Sequence, residues 1–131
     1  MKLARVSLYA VAVGFLGLGL QFMLLPGALT TQIGIVLPTP VAVMEIRGVY
    51  GGFFFGTGLF FLLFARRDVW LRPGLVAQAS IMGALVVGRT VGLILDGRPN
   101  VLIAALLAVE FVATIVALVG LKQLDGAASA A

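Results

Sequence analysis

The sequence predicts an all-α protein: a four-helix antiparallel transmembrane bundle with both termini cytoplasmic. Three observations predict it. Four apolar runs are each long enough to span a bilayer, Pro and Gly punctuate the breaks between them, and basic residues gather on one side of the resulting model. The 131-residue chain is 62% hydrophobic and 11% charged, whereas a soluble domain carries about 25% charged residues. That length suffices for one compact helical unit, taken as a single domain over residues 1–125.

The first run covers residues 6–25 and ends at Pro26-Gly27. Lys2 and Arg5 precede it, as in a signal peptide, but it is too long for such a peptide's apolar core and no A-x-A-like site follows, so it is read as a retained helix. The second run, residues 41–65, follows Pro38-Thr39-Pro40, and the third, residues 75–95, is opened by Pro73-Gly74. The fourth, residues 101–121, follows Asp96-Gly97-Arg98-Pro99-Asn100, in which Asp96-Gly97 is a turn signal. Residues 126–131 read as a disordered tail. The loop over residues 26–40 is unusually apolar (Ile33, Ile35, Val36, Leu37), which suits a segment resting on the membrane surface or folded over the bundle mouth.

Lys2, Arg5, Arg66, Arg67, Arg72 and Lys122 fall on one side of the four spans, and only Arg98 lies in a loop on the other. The positive-inside rule makes the crowded side cytoplasmic. Trp70, among the arginines, fits an interfacial anchor. The net charge of +4 belongs to these flanks and not to a nucleic-acid surface.

Four charges interrupt the apolar runs: Glu45, Arg47, Arg89 and Glu110. Charge in hydrocarbon is costly and is generally paired or used. At a rise of 1.5 Å per residue, all four lie within roughly 7 to 15 Å of one end of the bundle, which points to a single polar cluster. Arg89 and Glu110 stand on runs joined by a short loop, hence antiparallel neighbours, and side chains lean toward the N-terminus of their own helix. The two lean toward a common depth, so an Arg89–Glu110 ion pair is expected. Glu45 and Arg47 point to different sides of their helix. Glu45 shares a face with Gly48, Gly52 and Gly56, and the third run carries Ser80, Ala84, Gly88 and Gly92; such small-residue stripes let membrane helices approach closely, within a chain or between copies. Arg47, with Tyr50, Gly51 and Phe54, either reaches the outer surface or pairs with Asp96. Phe53, Phe54, Phe55, Phe60 and Phe61 are core or lipid-facing aromatics, and Gln21 and Gln78, near the ends of their runs, need no special role.

Missing residue types narrow the chemistry. Without Cys or His there is no disulfide, thiol nucleophile, histidine-ligated haem or usual zinc site, and no Ser-His-Asp or Cys-His arrangement. No cofactor or metal is expected. A carboxylate in low dielectric remains the one candidate acid or base, and Glu45 is the better titrating one if Glu110 is paired.

The string Glu45-Ile46-Arg47-Gly48-Val49-Tyr50-Gly51-Gly52, together with Arg89-x-x-Gly92, Asp96-Gly97-Arg98-Pro99 and Glu110, resembles the signature of the bacterial domain-of-unknown-function family 4345 over nearly the whole chain. The resemblance implies a small four-helix inner-membrane protein and brings no activity. A more distant likeness to the DoxX-like four-helix proteins, which include accessory subunits of membrane redox systems, is architectural and transfers no function.

Three functions are compatible with these residues. One is a non-enzymatic membrane protein, either an accessory subunit or a binder of a small amphiphile, with Glu45, Arg47, Arg89 and Glu110 shaping the site and Tyr50 and Asp96 at its rim. The second is an oligomeric small-solute or proton-coupled transporter. The third is a membrane-embedded isomerase using Glu45 or Glu110 as acid–base. Buried Arg–Glu pairs also serve to hold helices in register, so the cluster is either functional or structural. The partners expected are lipid, a membrane protein or a second copy, and a small amphiphile, with no nucleic acid.

Overall fold

The computed structural model describes residues 1–129. Its elements run α1 (Lys2–Leu24), α2 (Pro26–Thr30), a 3-10 turn (Thr31–Ile33), α3 (Pro40–Glu45), a π-helical stretch (Ile46–Gly52), α4 (Phe53–Arg66), α5 (Asp68–Leu95) and α6 (Val101–Ser129). Because α3, the π stretch and α4 are continuous, four helices are long and apolar enough to cross a membrane: Lys2–Leu24, Pro40–Arg66, Asp68–Leu95 and Val101–Ala127. At 23 to 28 residues each, they exceed the roughly 20 residues a bilayer core requires. Large apolar side chains such as Val13, Val87, Ile94 and Val109 stand exposed on the outside. A soluble bundle would put polar residues there, so this surface suits lipid.

Two helix boundaries differ most from the sequence pattern. The pattern opens the third span at residue 75, but α5 starts at Asp68 and carries Pro73 inside it. Pro73, the sixth residue of α5, gives up the backbone hydrogen bond to the Val69 carbonyl and its ring crowds that carbonyl. The following Gly74 lets Phe64 and Leu8 close in, since a Cβ there would sit 2.8 Å from Phe64 Cβ and 2.9 Å from Leu8 Cδ1. At the other end, α6 continues past residue 121 to Ser129, through Gly126 to Ser129 of the expected disordered tail. Alanine is the best helix former, which suits that Ala-rich stretch. Residues 130 and 131 lie outside the described residues.

The main seam joins α1 to α4. Along α1 the buried positions include Leu8, Ala12, Phe15, Gly19 and Phe22, at alternating spacings of four and three. The facing positions Arg47, Gly51, Phe54, Gly58, Phe61 and Ala65 follow the same rhythm. This is the seam of two antiparallel helices packed knobs into holes. Glycines set its distance: a Cβ on Gly58 would lie 2.7 Å from the backbone N of Leu16, one on Gly51 3.0 Å from the backbone N of Met23, and one on Gly19 would collide with the backbone of Phe55.

The intrachain alternative for the packing stripe is therefore corrected. Nothing lies within 4 Å of a Cβ built on Gly48, Gly52, Gly56 or Gly88, and Gly92 meets only Asp96 Oδ2 of its own helix, at 3.6 Å. None of the five packs against another helix among the described residues. The face that α1 covers is the opposite one, where glycine alternates with bulky aromatics and so offers both close approach and buried area. The shared core (Ala4, Leu8, Ala12, Phe15, Phe61, Ala65, Leu71, Leu75, Met82, Ala117) lies mostly toward the end that holds the start of α1, the later turns of α6 and most of the basic residues. There α1, α5 and α6 converge, and a Cβ on Gly120 would sit 2.9 Å from Leu75 Cδ1 and 3.9 Å from Ala4 Cα. That end is also tied by ion pairs, Arg5 to Asp68 and Arg72 to Asp125, the latter at 2.9 Å.

Substituting Gly58 by Val should destabilise the fold by about 1–3 kcal/mol, the usual range for overpacking a core contact. Gly56→Ala, in open space, should be neutral or stabilising by up to about 1 kcal/mol. Unfolding of both variants in detergent, followed by circular dichroism, checks the contrast, and equal effects at the two positions would contradict the seam.

Candidate functional site

Between α1 and α6 lies a cleft of about 810 Å³, lined along α1 from Leu3 to Phe22. That volume lies within the range of small-molecule sites. Its lining is apolar almost throughout, with Phe15, Phe22, Phe54 and Met82 among the contributors. The exceptions are few: Ser7, Tyr50, Arg89 and Glu110.

Arg89 and Glu110 make a bidentate ion pair across α5 and α6. Arg89 Nε donates to Glu110 Oε2 at 2.7 Å and Nη2 donates to Oε1 at 3.0 Å. This fork-to-fork geometry is the strong form of the interaction. The Glu110 side chain is 8% exposed and that of Arg89 25%, so the carboxylate is shielded while the guanidinium reaches the cleft. The third guanidinium nitrogen, Nη1, makes no hydrogen bond among the described residues and is not buried. The Thr114 hydroxyl donates to the Glu110 backbone carbonyl at 2.8 Å, one turn further along α6.

The other charges go elsewhere, so the four do not share one hydrogen-bonded cluster. Arg47 Nη1 donates to the carbonyl of Met23, and lies 3.5 Å from that of Leu24. These carbonyls end α1 and lack partners within their own helix, and a cation there also favours the negative end of the helix dipole. Gly51, one turn beyond Arg47, brings the α1 terminus within reach by leaving room for Met23. The alternative of an Arg47–Asp96 pair is thus corrected: Asp96 is exposed at the end of α5, and Gly97, with φ of +101°, turns the chain there. Glu45 is exposed, has no ion pair among the described residues and does not line the cleft, contrary to its expected place in a tight helix interface. The covered face of its helix is the one bearing Ile46 and Gly51.

Tyr50 does reach the cleft. Its ring lies 5.5 Å from Phe22 and 6.1 Å from Phe54 between centroids, continuing an aromatic row through Phe15 and Phe61. The π stretch carries Arg47, Tyr50 and Gly51, so three distinct tasks (capping α1, walling the cleft, admitting Met23) fall in seven residues. Such π segments often mark functional positions in helices.

Gln78 has a larger role than its sequence position suggests. It is fully buried, and its amide meets the Ser7 hydroxyl, which donates to Oε1 at 3.1 Å and accepts from Nε2 at 2.8 Å. Nε2 also donates to the Ala113 carbonyl at 2.9 Å, linking α1, α5 and α6 beneath the cleft. Starting the helix at Asp68 instead of residue 75 moves Gln78 from its end to about 15 Å along it. The overlooked signal was a second polar residue, Ser7, in an otherwise apolar stretch of the first span.

At the loop end, Leu29 and Ile33 cover the cleft. Asn100 fastens this cover: Nδ2 donates to the Gln32 carbonyl at 2.7 Å, while Oδ1 accepts from Ile103 N at 2.9 Å and caps α6. The apolar loop thus folds over the bundle mouth.

Among known proteins, the family model described as a domain of unknown function, DUF4345, matches residues 3–121. The match spans every residue of the cleft. No curated protein and no solved structure matches the chain.

Removing one member of the Arg89–Glu110 pair should cost about 3–5 kcal/mol, because the other charge is left uncompensated. Glu110→Leu with Arg89→Met together should cost clearly less than the sum of the single substitutions. A double-mutant cycle on unfolding in detergent measures the difference, and strict additivity would contradict the coupling.

Proposed function

The chain belongs to the DUF4345 family, and we propose that it is a multi-pass inner-membrane protein that holds a small amphiphile in the α1–α6 cleft. The observation that carries this reading is an 810 Å³ apolar cleft with one paired charge in its wall. A large apolar cavity with a few convergent polar groups is the usual form of a small-molecule site. The apolar body of the ligand would lie along Phe15, Phe22 and Phe54, and its polar end would meet Arg89, Glu110 and Tyr50. The basic end would face the cytoplasm, in keeping with the positive-inside rule.

The role is non-enzymatic in this reading. Glu110 is engaged at both carboxylate oxygens by Arg89, and Glu45 lies off the cleft, so neither stands free to act as acid or base there. Native mass spectrometry of protein released gently from its own membrane should show one small-molecule adduct per chain, absent from an Ala10→Trp variant that fills the cleft mouth. An empty wild-type protein would defeat the reading.

A second reading, assembly with another copy of the chain, is favoured by the Gly48, Gly52 and Gly56 face, which no helix of the chain covers. Small residues at that spacing permit close helix pairing in membranes. Gly52→Leu should then shift the protein from dimer to monomer in native electrophoresis without altering its unfolding, and an unchanged, monomeric wild type would remove the idea.

A further inference from the structure

The cleft opens sideways. Exposed Val6, Ala10 and Gly14, one turn apart along α1, form one lip, and exposed Val109 and Val112 on α6 form the other. Leu29 and Ile33 cover the loop end, and Ala4, Leu75 and Gly120 close the basic end. Both lips are apolar and belong to helices long enough to cross a membrane. An occupant therefore enters from among lipid chains and not from water.

The polar site is also deep. Arg89 lies six residues before Leu95 and Glu110 nine residues after Val101, which puts the pair about 9 to 14 Å from the loop end at 1.5 Å per residue. A charged headgroup following its chains to that depth would leave the interface at high cost. The pair itself has no charge to offer. An anion would have to compete with Glu110 for Arg89 and strand a carboxylate that is 8% exposed; a cation would strand Arg89 in the same way. An uncharged acceptor faces neither penalty, because Nη1 of Arg89 is accessible and bonded to nothing among the described residues. The guanidinium can hold Glu110 with Nε and Nη2 and donate to a third group with Nη1.

We infer that the ligand of this cleft is an uncharged lipid whose polar group, a ketone, ester or alcohol oxygen, accepts a hydrogen bond from Arg89 Nη1 while the Arg89–Glu110 pair stays intact. The inference rests on the proposed cleft-binding function and specifies the chemical class of its ligand. The Tyr50 hydroxyl, also without a hydrogen-bond partner among the described residues, is a second donor to the same cleft.

The test uses the purified full chain in detergent, offered heptadecan-2-one, palmitate or dioleoylphosphatidylglycerol at equal concentration and read by native mass spectrometry. The ketone should occupy one site per chain, at least about tenfold more than either anion, a preference that a charge-neutral site implies. Ala10→Trp should abolish its binding; Ala10 is an exposed lip residue, so the core is undisturbed. Arg89→Lys, which keeps the charge but loses the planar fork, should lower ketone occupancy at least about fivefold. Preferential binding of palmitate or the phospholipid, blocked by Ala10→Trp, would overturn the neutral-ligand inference and leave the cleft function standing. Ketone binding indifferent to Arg89→Lys would overturn the role of Nη1. Absence of any binding, or binding indifferent to Ala10→Trp, would overturn both the inference and the function beneath it.

Discussion

Helix α1 sits as close to α4 as it does because Gly19, Gly51 and Gly58 present no side chain to the opposing backbone. For helices this apolar, packing in a membrane would offer little hydrophobic drive to press them together, so contact surface and close approach would have to supply it. Between these glycines the seam places Phe15, Phe22, Phe54 and Phe61, whose rings interlock edge to face or tilted at 5.5 to 6.0 Å. Small residues thus set the distance and aromatic ones fill what remains. The other features follow from that closeness. It brings the last carbonyls of α1 to Arg47, and it commits one face of α1 to α4, leaving the face with Val6, Ala10 and Gly14 to border the cleft.

Three polar side chains inside the bundle are answered by partners on other helices. Arg47 takes the end of α1, Gln78 joins Ser7 to the Ala113 carbonyl, and Arg89 chelates Glu110. Each tie crosses between helices, so each helps fix register where apolar packing alone discriminates poorly among rotations. Their cost when unmet is high, since a lone polar group in hydrocarbon has no water to turn to. The arrangement leaves few donors spare, and those that face the cleft, on Arg89 and Tyr50, are the ones available to a ligand.

The cleft results from uneven packing along the bundle. At the basic end Ala4, Gly74 and Gly120 let α1, α5 and α6 meet, with Leu8, Leu71 and Leu75 completely buried. Toward the loops the α1 and α6 positions carry no comparable contact, and the space between them is roofed by α2 and the 3-10 turn. A bundle closed at one end and parted at the other offers a lateral entrance without breaking any backbone hydrogen bond, which suits a helical membrane protein.

The number of helices, their approximate limits and the pairing of Arg89 with Glu110 were legible in the sequence. Each depends on local quantities: the length of an apolar run, the place of Pro and Gly, and the lean of side chains on two helices joined by a five-residue turn. Family membership was legible for a related reason, because the Glu45–Gly52 string and the later Arg89, Asp96 and Glu110 form a pattern within the chain, and the family model matches residues 3–121. What the sequence left open was which face of each helix turns inward. An apolar membrane helix has weak amphipathic bias, so the stripe of Gly48, Gly52 and Gly56 and the heptad-like series from Gly51 to Ala65 were competing choices. Only the tertiary structure decided for the second, and with it the exposure of Glu45, the engagement of Arg47 with α1 and the burial of Gln78. Those outcomes depend on complementarity between two surfaces, a property of the pair that neither helix carries alone.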